Sequence, residues 1–327
     1  MKKLLSIEEV TSKILDGERL ILAADEKLLD LLPKGNWIGG TIPYFMSDDG
    51  GVFTKEKIYT DELPAYAIDT IIKFYDTTSI TGITSDEFDN GYTMLIIPAF
   101  SQLHTDFAEN SHKYKDIFNH PLIGWISGTD LSAMEYTSPK TYNGSLGEKS
   151  DSKAVAMHIK LPQNKIPSVD MINIFKQGEE DSIRFSTTGF NASECLINGQ
   201  KVNLAEYLTE KKIDSKLPLV ADYYGAMVNT SIQNIDLEKK RVSFFAPVFP
   251  ELEYRIATPI EDYISEFNDI IDQLNIKPVH TCNCILNYLY AGLQGKKTAS
   301  LTGPMTFGEI AYQLLNQTLV YLKIDEI

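Results

Sequence analysis

Tyr92-Thr93-Met94-Leu95-Ile96-Ile97-Pro98-Ala99-Phe100, a polar segment from Ser101 to Phe118, and Leu122-Ile123-Gly124-Trp125-Ile126 together decide how this 327-residue chain reads. The first stretch is a continuous apolar run ending at Pro98, the pattern of a strand buried on both faces. The middle segment carries Leu103, Phe107, Tyr114, Ile117 and Phe118 among polar residues and reads as a helix. The third is a further strand. A helix set between strands favours an α/β or mixed α+β architecture over an all-β sandwich.

Upstream, Ser6 and Glu9 form a capping box ahead of Val10, Ile14 and Leu15, which predicts an N-terminal helix ended by Gly17. Leu20–Ala24 fits a buried strand, and Asp25–Leu32 returns to helical spacing. Residues 36–60 read as a β-hairpin around the turn Ser47-Asp48-Asp49-Gly50-Gly51. Gly39-Gly40 inside that strand marks tight packing or the approach of a ligand. Ile68–Tyr75 and Ala154–Leu161 are strands, and the Ser-, Gly- and Lys-rich residues 137–152 are a loop. Downstream, Asn198-Gly199 is a type I′ turn signal, and Asn203 with Glu206 caps a short helix. Strand runs follow at 219–224, 228–236 and 241–249. Residues 260–274 carry the clearest amphipathic stripe. Residues 278–284 are a strand running into a helix at 285–293, and 299–324 are strand, turn, strand.

At roughly 150 residues per domain the length implies about two domains, divided near the acidic turn Gln177-Gly178-Glu179-Glu180-Asp181: residues 1–180 and 181–327. Each half is expected to hold a mixed β-sheet flanked by helices, the two being associated. Gly39 to Phe45 echoes Gly303 to Glu309 in plan, each a glycine-bearing stretch followed by a turn and a strand, and internal duplication is one reading of that echo. Thirty Lys and Arg against 45 Asp and Glu leave a net charge of −15, without a basic cluster to meet phosphates, so nucleic acid is not an expected partner. Three cysteines are too few for a disulfide framework and favour a reducing compartment. The Lys2-Lys3 start runs into Glu8 and Glu9 with no apolar region, and Tyr92–Phe100 is about half a membrane span. The expectation is a cytoplasmic protein with no membrane partner.

His280-Thr281-Cys282-Asn283-Cys284 is the most suggestive pentapeptide, since its outer and central residues share one face of a strand. Same-face neighbours stand about 6.5–7 Å apart, too far for convergence on one ion, so buried thiols and no metal are expected there. A nucleophilic Cys282 or Cys284 is the alternative, giving a thiol-dependent hydrolase or transferase. His104, His112 and His120 recur every eight residues and read as solvent-exposed. Glu309, beside Gly308, could take an amine or hydroxyl of a small ligand. The phosphate-cradling, dinucleotide, nucleophile-elbow and zinc-protease motifs are absent from the sequence, and no cofactor is expected.

Gly303-Pro304-Met305-Thr306-Phe307-Gly308-Glu309-Ile310 with Leu315-Asn316-Gln317-Thr318-Leu319 resembles the end of the FIST (F-box and intracellular signal transduction) sensory family. Ile197-Asn198-Gly199-Gln200-Lys201, Phe244-Phe245-Ala246-Pro247-Val248 and the Cys282 region resemble further landmarks in the same order, and Trp37-Ile38-Gly39-Gly40-Thr41 resembles the N-terminal FIST strand. The chain departs from the family where Gly40 replaces its usual cysteine and where Ile285, Leu286 and Asn287 stand in place of an arginine. The resemblance implies FIST N-like and C-like regions in the two halves. It also implies a non-catalytic sensory protein that binds a small, amino acid-like ligand and serves a signalling partner; a partner-binding scaffold is a further reading. The expected ligand site is a cleft between the halves built from Gly39, Gly40, Cys282, Gly308, Glu309 and Asn316.

Overall fold

The computed structural model describes residues 2–223, 225–274 and 276–327; Tyr224, the last residue of one expected strand, lies outside them. The fold is mixed α/β. Among the described residues the strands form five sheets, four of six strands and one of three.

Three of the sheets repeat one plan. The first unit runs through edge strand Leu4–Leu5, helix Ile7–Leu15, strand Leu20–Ala24, helix Glu26–Leu29 and strand Trp37–Thr41. Hairpin Tyr44–Ser47/Gly50–Phe53 follows, then return strand Ile58–Glu62. The second runs through Asp69–Tyr75, a 3-10 turn at Ser79–Asp86, Gly91–Pro98, helix Gln102–Asn110 and Leu122–Ser127. Hairpin Thr141–Asn143/Glu148–Ser150 and return strand Ala154–Lys160 complete it. The third starts at Lys165–Ile172 and resumes after an insertion with helix Tyr263–Leu274, His280–Cys284, helix Ile285–Tyr290 and Gly303–Thr306. Hairpin Glu309–Ala311/Gln313–Leu315 and return strand Leu319–Glu326 close the chain.

In each unit the two strands that flank the second helix are parallel neighbours. The return strand lies antiparallel to the first of them, and the edge strand lies beyond the return strand. The sixth-strand side is filled by a hairpin from another unit. The second unit's hairpin joins the first sheet, the third unit's joins the second, and the first unit's joins the third. The echo between residues 39–45 and 303–309 therefore marks equivalent places in units one and three, and the plan occurs three times.

The insertion, strands Ile183–Arg184 through Tyr254–Ile256, is antiparallel throughout. It has its own core around Phe185, Leu219, Phe244 and Tyr254. The two halves are associated by sharing sheets, since residues 280–326 return to complete sheets begun before residue 180. One core cluster accordingly draws Ile38, Phe45, Ile96, Trp125, Met305 and Val320 from all three units.

Local expectations mostly hold. Ser6 and Glu9 close the capping box, Asn203 caps Leu204–Glu210, and Asn198 and Gly199 take φ of 49° and 83° in the tight hairpin turn. Three expectations are corrected. The hairpin spans only residues 44–53, because Trp37–Thr41 follows a helical crossover and so pairs parallel to Leu20–Ala24. Residues 137–152 contain a hairpin, its turn held by Asn143 Oδ1, which accepts from the Ser145 and Leu146 amides. The helix expected to reach Phe118 ends at Asn110, followed by a single 3-10 turn, and Asp116 adopts a left-handed φ of 58° that no helix continues through.

Candidate ligand-binding site

Strand Leu122–Ser127 gathers four of the six residues expected to form the site. A Cβ on Gly40 would stand 2.7 Å from Ile96 Cγ2 and 3.1 Å from Trp125 Nε1, and one on Gly39 would stand 3.2 Å from the Leu22 carbonyl. Cys282 Sγ donates to the Gly124 carbonyl at 3.2 Å, and Glu309 pairs with Trp125 across the second sheet. Gly308 accepts from the Ile126 amide at 2.8 Å. Asn316 is fully buried, with Nδ2 donating to the Leu315 carbonyl. Gly40, Cys282 and Glu309 thus lie against one strand, but in the packed interior, where the glycines serve close sheet packing.

Glu309 is an uncharged acid there. Burial pushes its carboxyl up to about 8, against the opposing pull of Thr318. Oε2 accepts from the Thr318 amide and hydroxyl at 3.2 and 2.8 Å, whereas Oε1 has no partner among the described residues. Burial likewise pushes the Cys282 and Cys284 thiols well up, with Glu309 adding to it. His280 faces Tyr92 OH at 2.9 Å and Asp61 Oδ2 at 3.2 Å, so its ring nitrogens are engaged away from both thiols. Glu309 contacts Cys284 but is itself uncharged, and protonated, enclosed thiols beside an uncharged acid are poor nucleophiles.

A cavity of about 360 Å³ opens elsewhere, beside the carboxyl ends of the parallel pairs of units two and three. Such ends are where open α/β sheets receive ligands. Unit two supplies Ala99, Phe100 and His104, unit three supplies Ile285, Leu286 and Phe307, and the insertion closes one side with Phe190 and Phe244. None of the six expected residues lines it, although Phe307 adjoins Gly308.

The turn from Pro98 into the helix shapes this wall. Ser101 Oγ accepts from the His104 amide at 3.1 Å and donates to the Pro98 carbonyl at 2.7 Å. Phe100, between them, is held at a left-handed φ of 64° and is 60% exposed. A bulky residue in that conformation is strained, and such strain concentrates at functional sites. Its ring meets Phe307 edge-on, centroids 6.0 Å apart. Its N–H donates to His104 Nδ1 at 3.4 Å, which assigns the ring proton to Nε2. Nε2 is buried and has no partner among the described residues. Burial lowers His104 to about 4, so the ring is neutral near pH 7. Among the described residues no Asp, Glu, Lys or Arg lines the cavity, and Asn191 and Gln233 stand exposed at its edge.

The chain belongs to the family of unknown function DUF6976. The family's model matches residues 5–325. No curated protein matches the chain. The DUF6976 match covers all three units and the insertion, so the cavity lies wholly inside the family's extent.

His104 was expected on the surface together with His112 and His120. It is buried instead, because the Ser101 cap turns the first helical turn onto the end of strand Gly91–Pro98. His112 packs its ring on Phe249, centroids 5.4 Å apart, and His120 Nδ1 stands 3.9 Å from Glu87. A serine cap placed directly after a core strand was the available signal for His104. Phe190 carried no signal, and Phe244 and Phe307 stood out only within the FIST-like stretches, since nothing local ties them to residues 99–104. Among the described residues no helix is long and apolar enough to cross a membrane.

Proposed function

We propose that this chain is a non-catalytic small-molecule-binding protein of sensory type, with its ligand seated between units two and three. The observation that carries the reading is His104, whose ring lines an apolar cavity while its Nε2–H is buried and unpaired, so that a small turn of the ring would bring the donor to a ligand. An unmet buried donor costs about 1–3 kcal/mol, and a ligand acceptor offsets that cost. Mostly apolar walls with few polar groups are the usual makeup of a small-molecule site. The likeness of residues 303–319 to FIST sensory regions points the same way. A neutral histidine without an orienting carboxylate, and thiols enclosed elsewhere in the core, favour binding over catalysis. Exposed Phe100, Met134 and Leu289 ring the mouth, where a signalling partner would read occupancy.

Thermal melts against a metabolite library test this, comparing the natural chain with Leu289→Trp, which narrows the mouth without entering the core. Ligands of the cavity raise the melting temperature of the natural chain by mass action, and the variant is expected to lose most of that rise. Equal shifts in both proteins would place binding elsewhere and defeat the reading.

A further inference from the structure

Resting on that reading, we infer that the cavity selects an uncharged ligand with a flat apolar body and a single hydrogen-bond acceptor, such as a carbonyl oxygen, directed at His104 Nε2. Charge decides the first part. Among the described residues the lining offers no ionised side chain, and the whole chain carries −15. An ammonium or carboxylate brought inside would lose its water without gaining a counter-charge. The amino acid-like ligand implied by the FIST resemblance carries both groups and is therefore disfavoured.

Shape decides the second part. Phe100 and Phe307 meet edge-on on one side, and His104 meets Phe190 edge-on at 6.0 Å on another. Rings so arranged present faces and edges to which a flat apolar body adds further offset or edge contacts. The tautomer decides the third. With Nδ1 occupied by the Phe100 amide, the ring offers a donor and no free acceptor. A ligand hydroxyl would be used only through its oxygen lone pair.

The test is calorimetry at pH 7 with four probes that share a phenyl-alkyl body: benzylacetone, butylbenzene, phenylbutyrate and phenylbutylammonium. Benzylacetone is expected to bind at least about tenfold tighter than either ion. It is expected to bind about threefold to tenfold tighter than butylbenzene, the range of one net hydrogen bond. His104→Phe should erase the preference over butylbenzene and leave butylbenzene binding in place, and His104→Gln, which keeps an N–H donor, should retain it. Either ion binding as tightly as benzylacetone, or His104→Phe keeping the preference, overturns the inference while leaving the cavity as a binding site. Binding of all four unaffected by Leu289→Trp would instead overturn the site itself.

Discussion

Replacing Glu309 by Gln should remove the larger part of the stability loss that the natural protein shows as pH rises. Glu87, raised by burial to about 7, supplies a further part that both proteins keep and that cancels in their difference. The ordinary carboxyl value is 4.5 and the folded value about 8. Between those values the folded state keeps a proton that the unfolded chain releases, so this raised carboxyl acts opposite to the usual paired acid. Its stabilising contribution is fully present below pH 4.5 and is lost as pH rises through 8. At about 1.4 kcal/mol per pH unit the complete loss is on the order of 5 kcal/mol, of which roughly 4 kcal/mol falls between pH 5 and pH 9. Gln fits the same space. Its carbonyl oxygen can accept from the Thr318 amide and hydroxyl as Oε2 does, and its amide nitrogen takes the place of the unpartnered Oε1. His104 and His158, both lowered to about 4 by burial, lose stability as pH falls from 6.5 toward 4, equally in both proteins, so they cancel in the difference. Urea unfolding at pH 5, 7 and 9 measures it. The variant should lie within about 1 kcal/mol of the natural protein at pH 5 and exceed it by several kcal/mol at pH 9. A difference that does not change with pH, or a variant that weakens further at pH 9, would refute the argument that Glu309 is buried as a neutral acid.

Phe100→Gly should keep stability within about 1 kcal/mol, because glycine accepts the left-handed φ of 64° freely and the lost ring is largely exposed. Benzylacetone affinity measured by calorimetry should fall severalfold, and a stability loss of about 3–5 kcal/mol, typical of a core phenylalanine, would show that the turn is structural. Cys195, Cys282 and Cys284 are all buried, and burial raises each thiol. Their reaction with a chromogenic disulfide at pH 8 should be on the order of a hundredfold slower in the native protein than in urea. One fast native thiol would restore the cysteine-nucleophile alternative.

The parts of this fold that were legible in the sequence are those whose chemistry closes within a few residues. The Ser6–Glu9 box, the Asn203 cap and the Asn198-Gly199 turn each bond to a neighbour, and each is found in place. The apolar run at Gly91–Pro98 and the helix after it were legible because burial on both strand faces leaves no polar position to disguise it. Pairings across the chain were not. Gly303 lies opposite Met46, and Trp125 opposite Glu309, and no residue at either end announces its partner. The same limit hid the site. Gly40, Cys282 and Glu309 all lie against strand Leu122–Ser127, but the sequence could not show that the Trp125 indole packs on Gly40. Glycine at position 40 reads equally as room for a ligand or as room for that indole.

The position of the cavity follows from where the three units differ. In unit one Asp25 caps the second helix immediately after strand Leu20–Ala24, and in unit three Cys284 ends its strand and occupies the cap position itself. Unit two alone places two residues, Ala99 and Phe100, between the strand end at Pro98 and the cap at Ser101. Those two residues line the cavity, and the second of them bears the left-handed φ. The corresponding edge of unit one holds instead a smaller pocket, about 160 Å³, lined by polar and charged groups. Lys55 pairs with Asp130 at 2.6 Å, and Thr41 Oγ1 donates to the Gly128 carbonyl at 2.7 Å. The repeated framework supplies the parallel strand ends, and the insertion supplies a wall of Phe190 and Phe244 on one side only. Deleting Ala99 and Phe100 would make unit two resemble its sisters at this edge, remove the strained turn, and draw His104 toward the strand end. The framework carries the common sheets, and the two extra residues of one copy carry the wall of the cavity.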